Sequence, residues 1–117
     1  MLLFVYGSLK RGFELHTLLE RELFLGAALT VPHYRLFDVG NYPCLVDWPE
    51  GLAIEGEVYD VHESTIPALD AAECVDLEWY VRRPILLQPP FDDREVLAYF
   101  WLKPVSGFRS LGATWPE

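Results

Sequence analysis

The chain has 117 residues, 51% hydrophobic and 15% aromatic, enough for one domain with a real core, and disorder is not the default. Eighteen acidic residues stand against nine basic ones, a formal charge of -9. A surface that negative repels phosphate backbones and anionic lipid, so nucleic acid and membranes are not expected partners, although a nest of backbone N–H groups can still hold one carboxylate.

The opening run 2–6, LLFVY, is continuously apolar and reads as a central strand covered on both faces. It stops at Gly7-Ser8, which turns the chain. Leu15, Leu18 and Leu19 then recur at helical spacing and predict a short helix over 14–21. Residues 24–30 and the alternating 34–39 read as strands. The stretch GNYPCLV (40–46) reads as a turn with a proline and then a short extended piece, and 48–51 as a turn. In 52–61, Ile54, Gly56 and Val58 alternate with Glu55, Glu57 and Tyr59, the pattern of a half-exposed antiparallel strand. The best helix covers HESTIPALDAAEC (62–74), with Ser64 or Glu63 as cap and Pro67 in the first turn. Residues 79–88 read as a strand broken by Pro89-Pro90, and 94–102 as the last strand. The tail 104–117 has Pro, Gly and Ser without periodicity and reads as a loop or frayed end beyond a domain of residues 1–103.

This order is not a regular strand–helix alternation, so a doubly wound sheet is not expected. The expectation is an α+β fold: a small mixed β-barrel or curved sheet with two flanking helices. Cys44 and Cys74 form no C-x-x-C and are expected to be reduced. The apolar opening run lacks a cationic lead and is short for a signal peptide or span, so a cytoplasmic protein is expected.

Two stretches carry chemistry. In VYGSLKRG (5–12), glycine permits close approach of a ligand or a positive φ. The N–H groups of Gly7, Ser8 and Leu9 could converge on a carboxylate or phosphate, with Lys10 and Arg11 adding positive charge. The blander reading is a strand-ending turn with two solvated cations. Neither G-x-x-x-x-G-K-[ST] nor G-x-G-x-x-G is present. In LDAAECVDLEWYVRR (69–83), Glu73 follows Asp70 by three and shares its helix face beside Leu69. A carboxyl at a core edge has a raised pKa, as a general acid or base at neutral pH requires. The blander reading is an exposed carboxylate ending a helix, and Asp70 is expected to bond local backbone. His16, His33 and His62 are dispersed without metal-ligand spacing, so no metal or other cofactor is expected. Ser8 lacks an evident triad, and Cys44 reads as a packed thiol.

Together, FVYGSLKRG, the downstream LDAAE and the following YVRRPI resemble the γ-glutamyl cyclotransferase-like superfamily over about residues 2–101. Its signature is an N-terminal Tyr-Gly-Ser/Thr-Leu, a central Leu-Asp-x-x-Glu-Gly and a Tyr-x-Arg strand. The form here looks most like the γ-glutamylamine cyclotransferase branch and its small bacterial relatives. The resemblance implies a small mixed barrel with a pocket beside the YGSL loop. It implies Glu73 as catalytic acid/base and substrate binding by Tyr6, Gly7, Ser8 and Leu9, chiefly through main-chain groups. Tyr80, Arg82 and Tyr99 are supporting candidates, with Arg82 either orienting Glu73, touching ligand or forming a structural salt bridge. The implied reaction is attack of a γ-glutamyl α-amine on its own γ-amide, releasing 5-oxoproline and an amine from a small-molecule substrate. One departure stands out: Cys74 occupies the motif's glycine position, so the helix is expected to end by another device that shifts Glu73. The alternatives are a non-catalytic module on the same scaffold, holding a small carboxylate-bearing ligand or a protein partner, and a structural dimerisation domain.

Overall fold

β1 (Leu2–Val5) runs through the middle of the protein, and all four of its residues are buried. The computed structural model describes residues 1–40 and 42–116. β1 pairs antiparallel with β5 (Glu55–Asp60), Leu2 opposite Asp60 and Val5 opposite Glu57. On its other side it pairs parallel with β7 (Val96–Trp101). With β2 (Leu23–Leu29) beyond β5 and β6 (Tyr80–Ile85) beyond β7, this makes a five-stranded mixed sheet in the order β2-β5-β1-β7-β6. Pro84 lies within β6, where an edge strand tolerates a missing donor. A second, antiparallel sheet has the order β4-β3-β8, formed by β3 (Tyr34–Asp38), β4 (Pro43–Asp47) and β8 (Arg109–Ser110).

Period-two alternation along β1 divides the core. Leu2 and Phe4 join Tyr34, Leu36, Leu45, Val58 and Phe100 in one apolar cluster. Leu3 and Val5 join Leu19, Tyr59, Ile66, Leu69, Tyr80 and Tyr99 in another, on the helical side. The five-stranded sheet curls until extensions of its edge strands meet. There Thr30 bridges Leu87, and the N–H of Gln88 donates to the Leu29 carbonyl at 2.8 Å. The result is a curved sheet and not a closed barrel, within the α+β class read from the sequence.

The helices are shorter and tighter than their spacing predicted. The first is a 3₁₀ segment, Glu14–Leu19. The second begins as a 3₁₀ turn, Glu63–Thr65, and becomes α1 (Ile66–Ala72), with Pro67 in its first turn. Neither Ser64 nor Glu63 caps it. Glu22 comes from forty positions upstream to accept the backbone N–H of His62 (3.2 Å) and the Thr65 hydroxyl, and its carboxylate lies 2.7 Å from His62 Nδ1. β5 is also less exposed than its alternation suggested. Tyr59, on the supposed outer face, is buried beneath His16 and Phe24.

The tail is not frayed. β8 pairs with β3, Leu111 is buried, and the Ala113 carbonyl accepts the Glu55 N–H at 2.7 Å. Two pieces of the sequence reading, Asn41 in the turn after β3 and the terminal Glu117, lie outside the described residues. Both cysteines are unpaired, Cys44 buried and Cys74 partly so. Among the described residues no helix is long and apolar enough to cross a membrane.

Candidate active site

Where β1 ends, the chain makes a tight turn, with the Lys10 N–H donating to the Gly7 carbonyl at 2.9 Å. The Leu15 N–H then binds the Ser8 carbonyl at 2.9 Å, folding the 3₁₀ segment back over the turn. The turn forms one wall of a cavity of about 270 Å³ lined by Tyr6, Gly7, Ser8 and Leu9. Glu73, Tyr80 and Tyr99 line it too, so residues marked in two distant motifs share one hollow. Gly7 does not have a positive φ, contrary to one role read for it. Its glycine is needed for space: a Cβ there would stand 2.9 Å from Cγ of the Pro43 ring. Among the described residues, none accepts a hydrogen bond from the N–H of Gly7, Ser8 or Leu9, although Gly7 and Leu9 are buried. Buried donors in that state are suited to an anionic ligand. Lys10 and Arg11 do not add charge to the cavity. Lys10 reaches the Trp115 carbonyl, and Arg11 binds Glu57.

Glu73 is the residue on which α1 ends, its N–H still bonded to the Leu69 carbonyl at 3.0 Å. The side chain is partly buried, and among the described residues nothing donates a hydrogen bond to its carboxyl. Burial pushes its pKa up to about 7. Cys74 does not end the helix by another device, as its identity suggested. It takes up the left-handed conformation itself, at φ 54° and ψ 42°, the geometry a glycine would supply one residue past the cap. Its carbonyl then accepts the N–H groups of Leu77 (3.2 Å) and Trp79 (3.3 Å), leading the chain directly into β6.

Three tyrosines lining the cavity are tied to its frame. The Tyr6 hydroxyl donates to the Tyr99 carbonyl (2.6 Å), Tyr80 to the Pro43 carbonyl (3.0 Å), and Tyr99 to Asp70 Oδ1 (2.7 Å). Burial raises all three pKa values, and for Tyr6 and Tyr80 the nearby Glu73 carboxyl adds to the rise, so these hydroxyls remain protonated donors. Arg82 is not at the cavity. It forms a two-pronged pair with Asp70, at 3.1 Å from Nε to Oδ1 and 3.2 Å from Nη2 to Oδ2. Asp70 therefore bonds side chains from β6 and β7, not local backbone. Burial pushes its pKa up, but Arg82 and Tyr99 outweigh that and hold it below the usual value. The arrangement fastens the last turn of α1, and so the backbone of Glu73, to the sheet.

The sequence reading missed Glu14, Tyr42, Pro43 and Trp79 in the lining. Trp79 adjoins Tyr80 in sequence, and that adjacency was the available signal. Among the described residues the lining contains two carboxyls, Glu14 and Glu73, and no Lys, Arg or His. Among the described residues no three His, Cys, Asp or Glu side chains gather in a metal-binding group.

Comparison with known proteins gives these findings. A family model described as "Gamma-glutamyl cyclotransferase, AIG2-like" matches residues 3–116. A provisionally named γ-glutamylcyclotransferase of Vibrio cholerae is 39% identical over 98 residues, covering 84% of this chain and 81% of its own. The γ-glutamylcyclotransferase family protein YtfP of Escherichia coli K12 is 32% identical over 111 residues, covering 93% and 89%. The crystal structure of an AIG2-like protein from Mus musculus superposes with a TM-score of 0.74 at 31% identity, covering 85% of this chain and 75% of that one.

Proposed function

The chain belongs to the γ-glutamyl cyclotransferase, AIG2-like family, and from that premise we propose that it cleaves a γ-glutamyl amide to 5-oxoproline and a free amine. The observation that carries the reading is the Glu73 carboxyl. It lines the same cavity as the amides of Gly7 to Leu9, which like it have no hydrogen-bond partner among the described residues, and its pKa is raised to about 7.

The nucleophile belongs to the substrate, so the protein needs no reactive serine or thiol. Glu73 in its ionised form takes a proton from the substrate α-ammonium. The freed nitrogen lone pair attacks the γ-carbonyl carbon, a C–N bond closes the five-membered ring, and negative charge develops on the carbonyl oxygen. The amides at the end of β1 receive either that oxygen or the substrate's α-carboxylate. As the original amide C–N bond breaks, Glu73 returns that proton to the departing amine; the ring nitrogen, still carrying two hydrogens, then gives one to the ionised Glu73, which passes it to the released amine and is left as it began. Amine and carbonyl belong to one molecule, so the ring closure is intramolecular from the start, and the protein's part is to hold the conformer in which they meet and to move the protons. A base with a pKa near the working pH suits both proton transfers.

Tyr6, Tyr80 and Tyr99 have their hydroxyls committed to the frame, and their role in this reading is to shape the walls. Arg82 acts at one remove, through Asp70. The Cys74 departure no longer favours a non-catalytic module, because the left-handed geometry is met by cysteine. The test is incubation with γ-glutamyl amides and measurement of 5-oxoproline. The native protein is expected to form it, and Glu73→Gln, which keeps the shape and removes the base, to lose at least about a hundredfold in rate. Turnover retained in that variant contradicts the assignment.

A further inference from the structure

The cavity wall continues outward as an aromatic surface. Trp79 lines the cavity and is still 40% exposed, beside the buried Tyr80. Its indole meets Trp101 edge-on, with centroids 6.1 Å apart at 76°. Trp101 in turn meets Tyr80 (5.1 Å) and Phe108 (6.2 Å), and Phe108 is itself exposed. The backbone of Trp79 is held on both sides, its N–H by the Cys74 carbonyl and its carbonyl by the Leu102 N–H at 2.9 Å. The backbone that carries the exposed ring is therefore held, and edge-on packing of this kind leaves part of an aromatic face free.

We propose that this surface is the subsite for the leaving amine, and that it takes an apolar, preferably aromatic, amine carrying no carboxylate. The inference rests on the γ-glutamyl reading above. In that reading the polar glutamyl part occupies the end of the cavity where the amides of Gly7 to Leu9 are. The amide nitrogen must come to Glu73 to be protonated, and whatever that nitrogen carries extends past the neighbouring wall. One residue beyond Glu73, the Cys74 carbonyl holds Trp79, so the substituent leaves along the indole. Charge selects in the same direction. Glu14 and Glu73 are the carboxyls of the lining, and among the described residues it contains no cationic side chain, so a carboxylate on the amine half is repelled.

The test compares kcat/KM for 5-oxoproline release from γ-glutamyl-phenethylamide, γ-glutamyl-methylamide and γ-glutamylglycine. The phenethylamide is expected to exceed the methylamide by about tenfold or more, with γ-glutamylglycine the poorest. Trp79→Ala is expected to bring the ratio of the two neutral amides close to one, and Trp79→Phe to keep most of it. Equal efficiency on all three substrates, or a Trp79→Ala variant that loses the same factor on both neutral amides, overturns the subsite alone. No product from any of the three overturns the reaction, and the subsite with it.

Discussion

At Glu73 the chemistry and the stability of the protein pull in opposite directions. A partly buried carboxyl without a donor holds its proton more tightly in the folded chain, with a pKa of about 7 against roughly 4.3 in an unfolded one. Between those values the folded state binds more protons, so its stability falls as pH rises through that window. Below the unfolded value the acid is neutral in both states and this destabilisation is absent. Glu73→Gln removes the titration. It is therefore expected to gain about 1–3 kcal/mol on the native protein between pH 5 and pH 8, read from urea unfolding at the two values. A difference between variant and native that does not change with pH contradicts the placement of this carboxyl. Glu73 was legible because a motif and a helix face both singled it out. Gly7 was legible as a special position but not for its reason. The contact that forbids a side chain there comes from Pro43, thirty-six positions away. Arg82 and Asp70 were likewise visible as charges, but their partners depend on how α1 lies across β6 and β7.

Among the elements, the end of α1 bears most on the site. A non-glycine residue in the left-handed region costs roughly 1–2 kcal/mol, and Cys74 carries that cost where glycine would not. Glycine also loses more backbone freedom on folding, which returns part of the gain. Cys74→Gly is expected to stabilise the protein by about 0.5–1 kcal/mol with Glu73 undisturbed, seen as a higher thermal midpoint. A midpoint that stays or falls contradicts the strain. The strands were readable because continuous or alternating apolar runs survive any tertiary context, as in β1, β3 and β7. The helices were less so. Glu14–Leu19 has the leucine spacing of an α-helix but only six residues after a glycine turn, too few to repay helix nucleation, and it settles as 3₁₀. The cap of the second helix was sought next to it, while the chain supplies it from Glu22 on a separate loop.

For the whole molecule, the part least visible in sequence is the closure of the fold by its tail. Periodicity cannot report a two-residue strand. Yet β8 extends the second sheet, Leu111 joins the buried apolar cluster, and Trp115 packs on Phe13 at 5.4 Å, just after the turn that follows β1. We expect truncation after Lys103 to cost on the order of 3 kcal/mol or more, from loss of the Leu111 burial and the β8 pairing. That is a large share of the stability of a domain this size. An unchanged denaturation midpoint in the truncated chain contradicts this expectation. The curl of the large sheet has the same non-local character, since it depends on Thr30 meeting Leu87 across fifty-seven positions.

The central claim is that one acid, poised near neutrality, moves both protons of the reaction. The pH dependence of kcat/KM for 5-oxoproline release from a γ-glutamyl amide tests it most directly. The account predicts an acidic limb, with activity rising as pH increases through about 7, where Glu73 ionises. A profile flat from pH 5 to 8 contradicts it.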